Sequence, residues 1–179
     1  GLAAGAFPHR SVVVLRSPTA GPGPRPTTWG RDTAAFTARA SMITKPEVRA
    51  SALGRLDLPA TGVLWDLGAG SGSVAVEAAL AAPGLRVIAV ERRADDAERI
   101  RANAAALGAL VEVVVGDAAA VAADLPRPDR VFVGGGGLDV LDAARRALAP
   151  GGRIVASFAA ADRAAEAYRR LGNLVQVRV

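Results

Sequence analysis

VLWDLGAGSGSVAVE, residues 63–77, decides the fold. An apolar run ends in Asp66 and Leu67, then breaks over Gly68, Gly70 and Gly72, with the small residues Ala69, Ser71 and Ser73 between and after them. Alternate glycines let a chain turn sharply at the carboxyl end of a strand and let a ligand approach the backbone without meeting a Cβ. The pattern predicts a helix that starts near residues 71–76. Its unbonded N–H groups and the positive end of its dipole would face the loop and suit an anionic group on a ligand.

Spacing separates the two nucleotide classes that use such a loop. The dinucleotide pattern G-x-G-x-x-G would need its last glycine where Ser73 stands. Asp66 instead completes D-x-G-x-G-x-G, which resembles the first motif of the class I S-adenosylmethionine-dependent methyltransferases. The resemblance implies S-adenosyl-L-methionine as cofactor, with Asp66, Gly68, Ala69, Gly70, Ser71 and Gly72 around its methionine part. A second strand near residues 86–90 ends at Glu91, where a carboxylate can accept both ribose hydroxyls. A solvated acid at a strand end is the plainer alternative there. A third strand, 111–115, leads to Gly116, Asp117 and Ala118, a position that borders the adenine in the class it resembles.

The same alternation continues along the chain. Apolar periodicity predicts helices over 95–107, 118–124, 138–148 and 160–171, and strands over 131–133, 153–158 and 174–179. Strands alternating with helices of this length make an α/β fold, Rossmann-like, with a doubly wound, mostly parallel sheet covered on both faces. Pro150-Gly151-Gly152 closes the helix over 138–148. Class I methyltransferases usually finish with an antiparallel strand, and the chain stops at Val179 on strand-like sequence. The C-terminal antiparallel hairpin is therefore expected to be incomplete.

Composition narrows the function classes. With 179 residues, 51% of them hydrophobic, the chain can bury one substantial core. It has no cysteine, and His9 is its only histidine, so neither a disulfide framework nor a Cys/His metal site can be built, and no metal is expected. No apolar run reaches membrane-spanning length; a cytoplasmic protein without membrane contact is expected. The scarcity of aromatic residues argues against stacking on single-stranded nucleic acid.

The net charge of +5 resides in the first quarter of the chain, where Arg10, Arg16, Arg25, Arg31, Arg39 and Lys45 face Asp32 alone. Such a segment attracts anionic partners, or is simply solvated. Within it, PTAGPGPRP, residues 18–26, reads as a linker, and 11–15 as a short strand-like remnant. Residues 1–40 are thus expected to be a basic linker segment and 41–179 the folded domain. A chain that opens at Gly1 without methionine is expected to be a piece of a longer polypeptide.

SMITKPEVRASAL, residues 41–53, contains T-x-x-E with proline in the first turn, which predicts Thr44 as the N-cap of a helix. Taken together, MITKPEVR (42–49), the glycine loop, VIAVER (87–92) and VGGGGL (133–138) resemble the decarboxylating domain of the precorrin-6Y C5,15-methyltransferases of cobalamin biosynthesis. The likeness spans roughly residues 41–152. It implies methyl transfer to the C15 bridging carbon of a precorrin, with loss of carbon dioxide from the C12 acetate arm. It also implies that Thr44 touches the cofactor beside Glu91, Asp117 and Ala118. A homo-oligomer, tetrameric in that family, and fusion behind another methyltransferase domain are further implications.

A polycarboxylate substrate suits a basic approach, with Arg31, Arg39, Lys45 and Arg49 as candidates for its carboxylates. Gly135 and Gly136 would leave room for a flat macrocycle, or belong to an ordinary flexible loop. No general acid or base stands out; positioning alone can supply about 7–11 kcal/mol. Two alternatives stay open. An RNA or other class I methyltransferase would share the cofactor site, although 133–137 lack the acid or amide, two prolines and aromatic that amino-methylating enzymes carry. A cofactor-binding module without catalysis is the other.

Overall fold

The polar and apolar residues of the first strand sort its neighbours. In the computed structural model, which describes residues 29–39 and 43–173, β1 (Gly62–Leu67) lies at the centre of a sheet and alternates strictly. Leu64 and Asp66 face one layer of helices, while Trp65 and Leu67 face the other. β2 (Leu85–Glu91) and β4 (Arg130–Val133) flank it, with β3 (Glu112–Val115) and β5 (Arg153–Ala156) outside them. The order is β3-β2-β1-β4-β5, and every pairing is parallel. The doubly wound parallel sheet expected from the sequence is present.

Helices α1 (Pro46–Leu56), α2 (Ser73–Ala81) and α3 (Ala94–Leu107) cover one face, and α4 (Ala118–Val121), α5 (Gly137–Ala147) and α6 (Ala161–Leu171) the other. On the first face Leu53, Leu56, Val76 and Ile100 pack on Leu64, Val87 and Phe132. On the second, Leu141 and Ala144 pack on Trp65, Ile88 and Val131. Strand order reverses between β1 and β4, so the crevice beyond the carboxyl ends of those strands is where such a sheet binds ligands.

Four local expectations are corrected. Thr44 is not the N-cap of α1; Lys45 is, in extended backbone and without a side-chain cap. Pro46 takes the first helical position, which its fixed φ favours, and a residue before proline is pushed out of the helical region. The two effects move the cap past Thr44. Helix 118–124 closes after Val121 and continues as a 3-10 turn, Ala122–Asp124, ahead of Pro126. β5 ends at Ala156 rather than residue 158, although Ser157 N–H still bonds Val133 O at 2.9 Å. Part of the segment set apart as a linker also packs: Gly30, Arg31 and Thr37 donate N–H groups to side chains of α2 and α3. The strand expected over 174–179, the remnant at 11–15 and the proline-rich 18–26 lie outside the described residues. Among the described residues, no helix is long and apolar enough to cross a membrane.

Candidate cofactor and substrate site

The loop after β1 is held from below by two crossings. Gly68 and Ala69 N–H both bond Val90 O, at 2.9 and 3.1 Å, which locks the loop to the end of β2. On its other side the chain after β4 passes directly beneath it, with Gly134 N–H bonded to Leu67 O at 2.9 Å. A Cβ on Gly68, whose φ is +68°, would sit 2.7 Å from Gly135 Cα. Gly68 is therefore bare because two backbones cross there, a tighter requirement than loop flexibility, whereas a Cβ on Gly135 would meet Gly68 only at 3.4–3.5 Å, an ordinary contact. Gly72 closes the turn as the left-handed N-cap of α2.

Asp66 lies under this loop, 1% exposed. Its Oδ2 accepts Ala75 N–H at 3.0 Å, which ties the strand to the first turn of α2, and its Oδ1 is buried without a partner among the described residues. Burial pushes the carboxyl up to about 7, with Ala75 N–H pulling down and the Glu91 charge adding to the rise. A buried, half-satisfied carboxylate is costly unless a cation or donor meets it. Glu91, at the end of β2, accepts Gly70 N–H at 2.9 Å on Oε2 and Arg93 N–H at 3.0 Å on Oε1. It is partly exposed, and each oxygen keeps a second lone pair for a ligand. Asp117 caps α4 through Oδ1, which accepts from Ala119 and Ala120, and Ala118 beside it is buried. Ser71 lies buried in the loop, its carbonyl accepting Asn103 Nδ2 at 2.9 Å.

The four basic candidates fare differently. Arg49 is not a substrate residue: it is completely buried, with its Nε 2.9 Å from Glu77 Oε1. Its Nη1 and Nη2 donate to the carbonyls of Thr44 and Arg31 respectively, and Phe36 lies under its guanidinium. Glu77 also accepts Gly30 and Arg31 N–H at 2.8 Å each. This cluster straps 30–37 and the start of α1 onto α2. Arg39 lies half exposed, 3.5 Å from Asp96, which also takes Arg93 and Arg99. The Arg31 backbone is pinned by the Glu77 cluster, and Lys45 is exposed at the head of α1. Thr44 is partly exposed and offers its carbonyl to Arg49.

Glu77 and Asn103 were missed as sequence signals. A single acid in SVAVEAALA, a helix otherwise of small and apolar residues, marks a buried charge that needs a partner, but its partner stands far off in sequence. Asn103 bridges Thr37 to Ser71, and so joins the strap to the glycine loop. Gly135 and Gly136 do line a cavity of about 350 Å3, between residues 134–137 and 157–160.

Ser73 separates the nucleotide classes a second time. In a dinucleotide enzyme that position is bare so that helix and strand can close up, whereas here a serine side chain is accommodated there, 2% exposed. Sheet order and loop together define a class I S-adenosylmethionine-dependent methyltransferase fold. A family model described as "Precorrin methyltransferase domain" matches residues 34–178, and the chain belongs to that family.

Relatives agree. It is 43% identical over 150 residues to a precorrin-6Y C(5,15)-methyltransferase [decarboxylating] of Sinorhizobium sp, with 80% of this chain and 36% of the relative covered. The crystal structure of the C-terminal domain of precorrin-6Y C5,15-methyltransferase from Rhodobacter capsulatus superposes with a TM-score of 0.78 at 38% identity, covering 87% of this chain and 86% of that one. Precorrin-6y C5,15-methyltransferase from Geobacter metallireducens gives 0.75 at 39%, over 80% and 79%. The chain spans between 36% and 52% of the first curated relatives it matches.

Proposed function

We propose that this domain transfers a methyl group from S-adenosyl-L-methionine to the C15 bridging carbon of a precorrin, with decarboxylation of the C12 acetate arm. The observation that carries the proposal is the crossing of Gly68 and Gly135. It sets the loop proposed to hold the cofactor edge to edge with a cavity at the ends of β4 and β5. Bound there, the cofactor supplies an electrophilic methyl on a sulfonium.

The residues fit that cofactor. Asp66 Oδ1 lacks a donor, and its negative field under Gly68, Ala69, Gly70, Ser71 and Gly72 suits the ammonium of a methionine part. Glu91 has lone pairs to spare for two ribose hydroxyls, Asp117 and Ala118 border the next strand end, and Thr44 lies at the head of α1. In the substrate cavity, Gly135 and Gly136 leave room for a flat ring, and Arg31, Arg39 and Lys45 remain the basic candidates on the approach. The chain's task is chiefly to hold two reactants in line, worth about 7–11 kcal/mol when orientation is good. We extend the reading to a homo-oligomer and to fusion behind an N-terminal methyltransferase domain; the unmatched share of the Sinorhizobium relative and the Rhodobacter structure's being a C-terminal domain support the fusion.

Anaerobic incubation with precorrin-6Y and S-adenosylmethionine, followed by mass analysis, tests the proposal. A product that has gained a methyl group and lost carbon dioxide supports it. Unchanged precorrin in the presence of a folded, cofactor-binding protein refutes it.

A further inference from the structure

The cavity beyond β4 and β5 contains a cation that nothing above uses. Its floor and sides are the glycine run 134–137 and the loop 157–160, small or apolar apart from the Ser157 hydroxyl. Among the described residues, the one charged side chain that lines it is Arg163, exposed at the cavity's opening in the first turn of α6. The guanidinium lies over bare backbone, with Nη1 3.6 Å from where a Gly137 Cβ would stand. Arg39, Arg86 and Arg170 each have a carboxylate partner, but Arg163 has none among the described residues. The acids nearest in sequence, Asp162 and Glu166, do not line the cavity: Asp162 is exposed in the first turn of α6, and Glu166 pairs with Arg169 and Arg170; Asp139, exposed in the first turn of α5, does not line it either.

An arginine is a poor choice for the first turn of a helix, where the dipole repels a cation. An anion in the cavity would relieve that. The chains after β4 and β5 both start helices without a side-chain cap, at Gly136 and Ala160, which adds to the positive potential at the same opening. A cavity with one cation, one hydroxyl and otherwise apolar walls selects a single carboxylate on a short hydrocarbon arm. Neither a neutral arm nor an ammonium would satisfy it.

We propose that this cavity is a carboxylate subsite in which Arg163 and Ser157 hold one side arm of the substrate; the inference rests on the tetrapyrrole reading above. The arm held is one that the reaction retains. A guanidinium stabilises a carboxylate as the anion. Loss of carbon dioxide instead breaks the bond between the arm's methylene and its carboxylate carbon, releases neutral carbon dioxide and passes that bond's electron pair to the macrocycle, so the negative charge leaves the carboxylate, which a bound guanidinium opposes. Arg163 is therefore a substrate-orienting residue that sets the ring over the Gly68–Gly135 crossing and leaves the departing arm elsewhere.

The test compares wild type with Arg163→Ala and Arg163→Lys. Steady-state turnover of precorrin-6Y is measured beside calorimetry with S-adenosylhomocysteine and a melting curve. Loss of a charge-assisted pair should raise KM about ten- to a hundredfold in the alanine variant. kcat should stay within about twofold, as for an interaction made equally in ground and transition states, and lysine should restore part of the loss. S-adenosylhomocysteine affinity and melting temperature should not move. An unchanged KM overturns the inference and leaves the proposed function standing. A KM change matched by lost cofactor affinity or a lower melting temperature also overturns it, because Arg163 would then be structural. Wild type that binds S-adenosylhomocysteine but never turns over precorrin-6Y removes the tetrapyrrole reading and this inference together.

Discussion

Asp66→Asn should stabilise the cofactor-free domain at alkaline pH while weakening its cofactor site. Burial moves the Asp66 carboxyl from 3.8 to about 7. At about 1.4 kcal/mol per unit, keeping it ionised in the folded state at pH 8 costs about 4 kcal/mol. Asparagine removes that cost and can keep the acceptor for Ala75 N–H, but it places an amide donor where Oδ1 has no partner. An unmet buried donor costs about 1–3 kcal/mol, so the net gain at pH 8 is about 1–3 kcal/mol. The sign follows from the direction of the shift. A raised carboxyl contributes stability that is fully present below 3.8 and is lost as the pH rises through about 7. The advantage of the variant should therefore shrink as pH falls and reverse between about pH 4.5 and 6, where the cost of ionising Asp66 drops below that of the unmet donor. Urea unfolding at a series of pH values reads it. A difference that does not vary with pH, or a wild type more stable than the variant at pH 8, would refute the reasoning. Cofactor affinity of the wild type should rise from pH 6 to 8 as Asp66 ionises, and that of the variant should not.

Glu77→Ala strands Arg49 in the core and should cost about 3–5 kcal/mol by urea unfolding. The double change Arg49→Met with Glu77→Leu should recover much of that, and a double variant no better than the single one would contradict a charge-pairing explanation. Gly68→Ala must push against the Gly135 backbone and should abolish S-adenosylhomocysteine binding, whereas Gly108→Ala, at nearly the same φ but with open space around it, should cost only about 1–2 kcal/mol. Equal effects of the two alanines would mean that backbone conformation, not the crossing, constrains the loop. Asn103→Leu should expose the strap to limited proteolysis and lower cofactor affinity, since it unties both Thr37 and Ser71; an unchanged cleavage pattern would deny it that role.

The parallel sheet and the glycine loop were legible because their signals are local. The run before Asp66 cannot be an amphipathic helix, and alternate glycines permit few structures besides a tight turn at a strand end. Glu91 and Asp117 could be placed for the same reason, since each closes an apolar strand. What stayed hidden depends on partners distant in the chain. Arg49 looked like one more cation of a basic segment, and only the fold brings Glu77, 2.9 Å away, to bury it. Arg163 gave no signal beyond an arginine at the wrong end of a helix; the cavity that gives it meaning is assembled from two other loops. Thr44 shows how one local rule can mask another, because the capping-box spacing was present but Pro46 outranked it.

Calorimetric titration with S-adenosylhomocysteine, for wild type and for Glu91→Ala, tests most directly the claim that the crevice beyond β1 and β2 is a methyl-donor site. The account expects saturable binding by the wild type. It also expects affinity at least about tenfold weaker in the variant, from lost hydrogen bonds between a carboxylate and the ribose hydroxyls. No binding by folded wild type, or equal binding by both proteins, would contradict it.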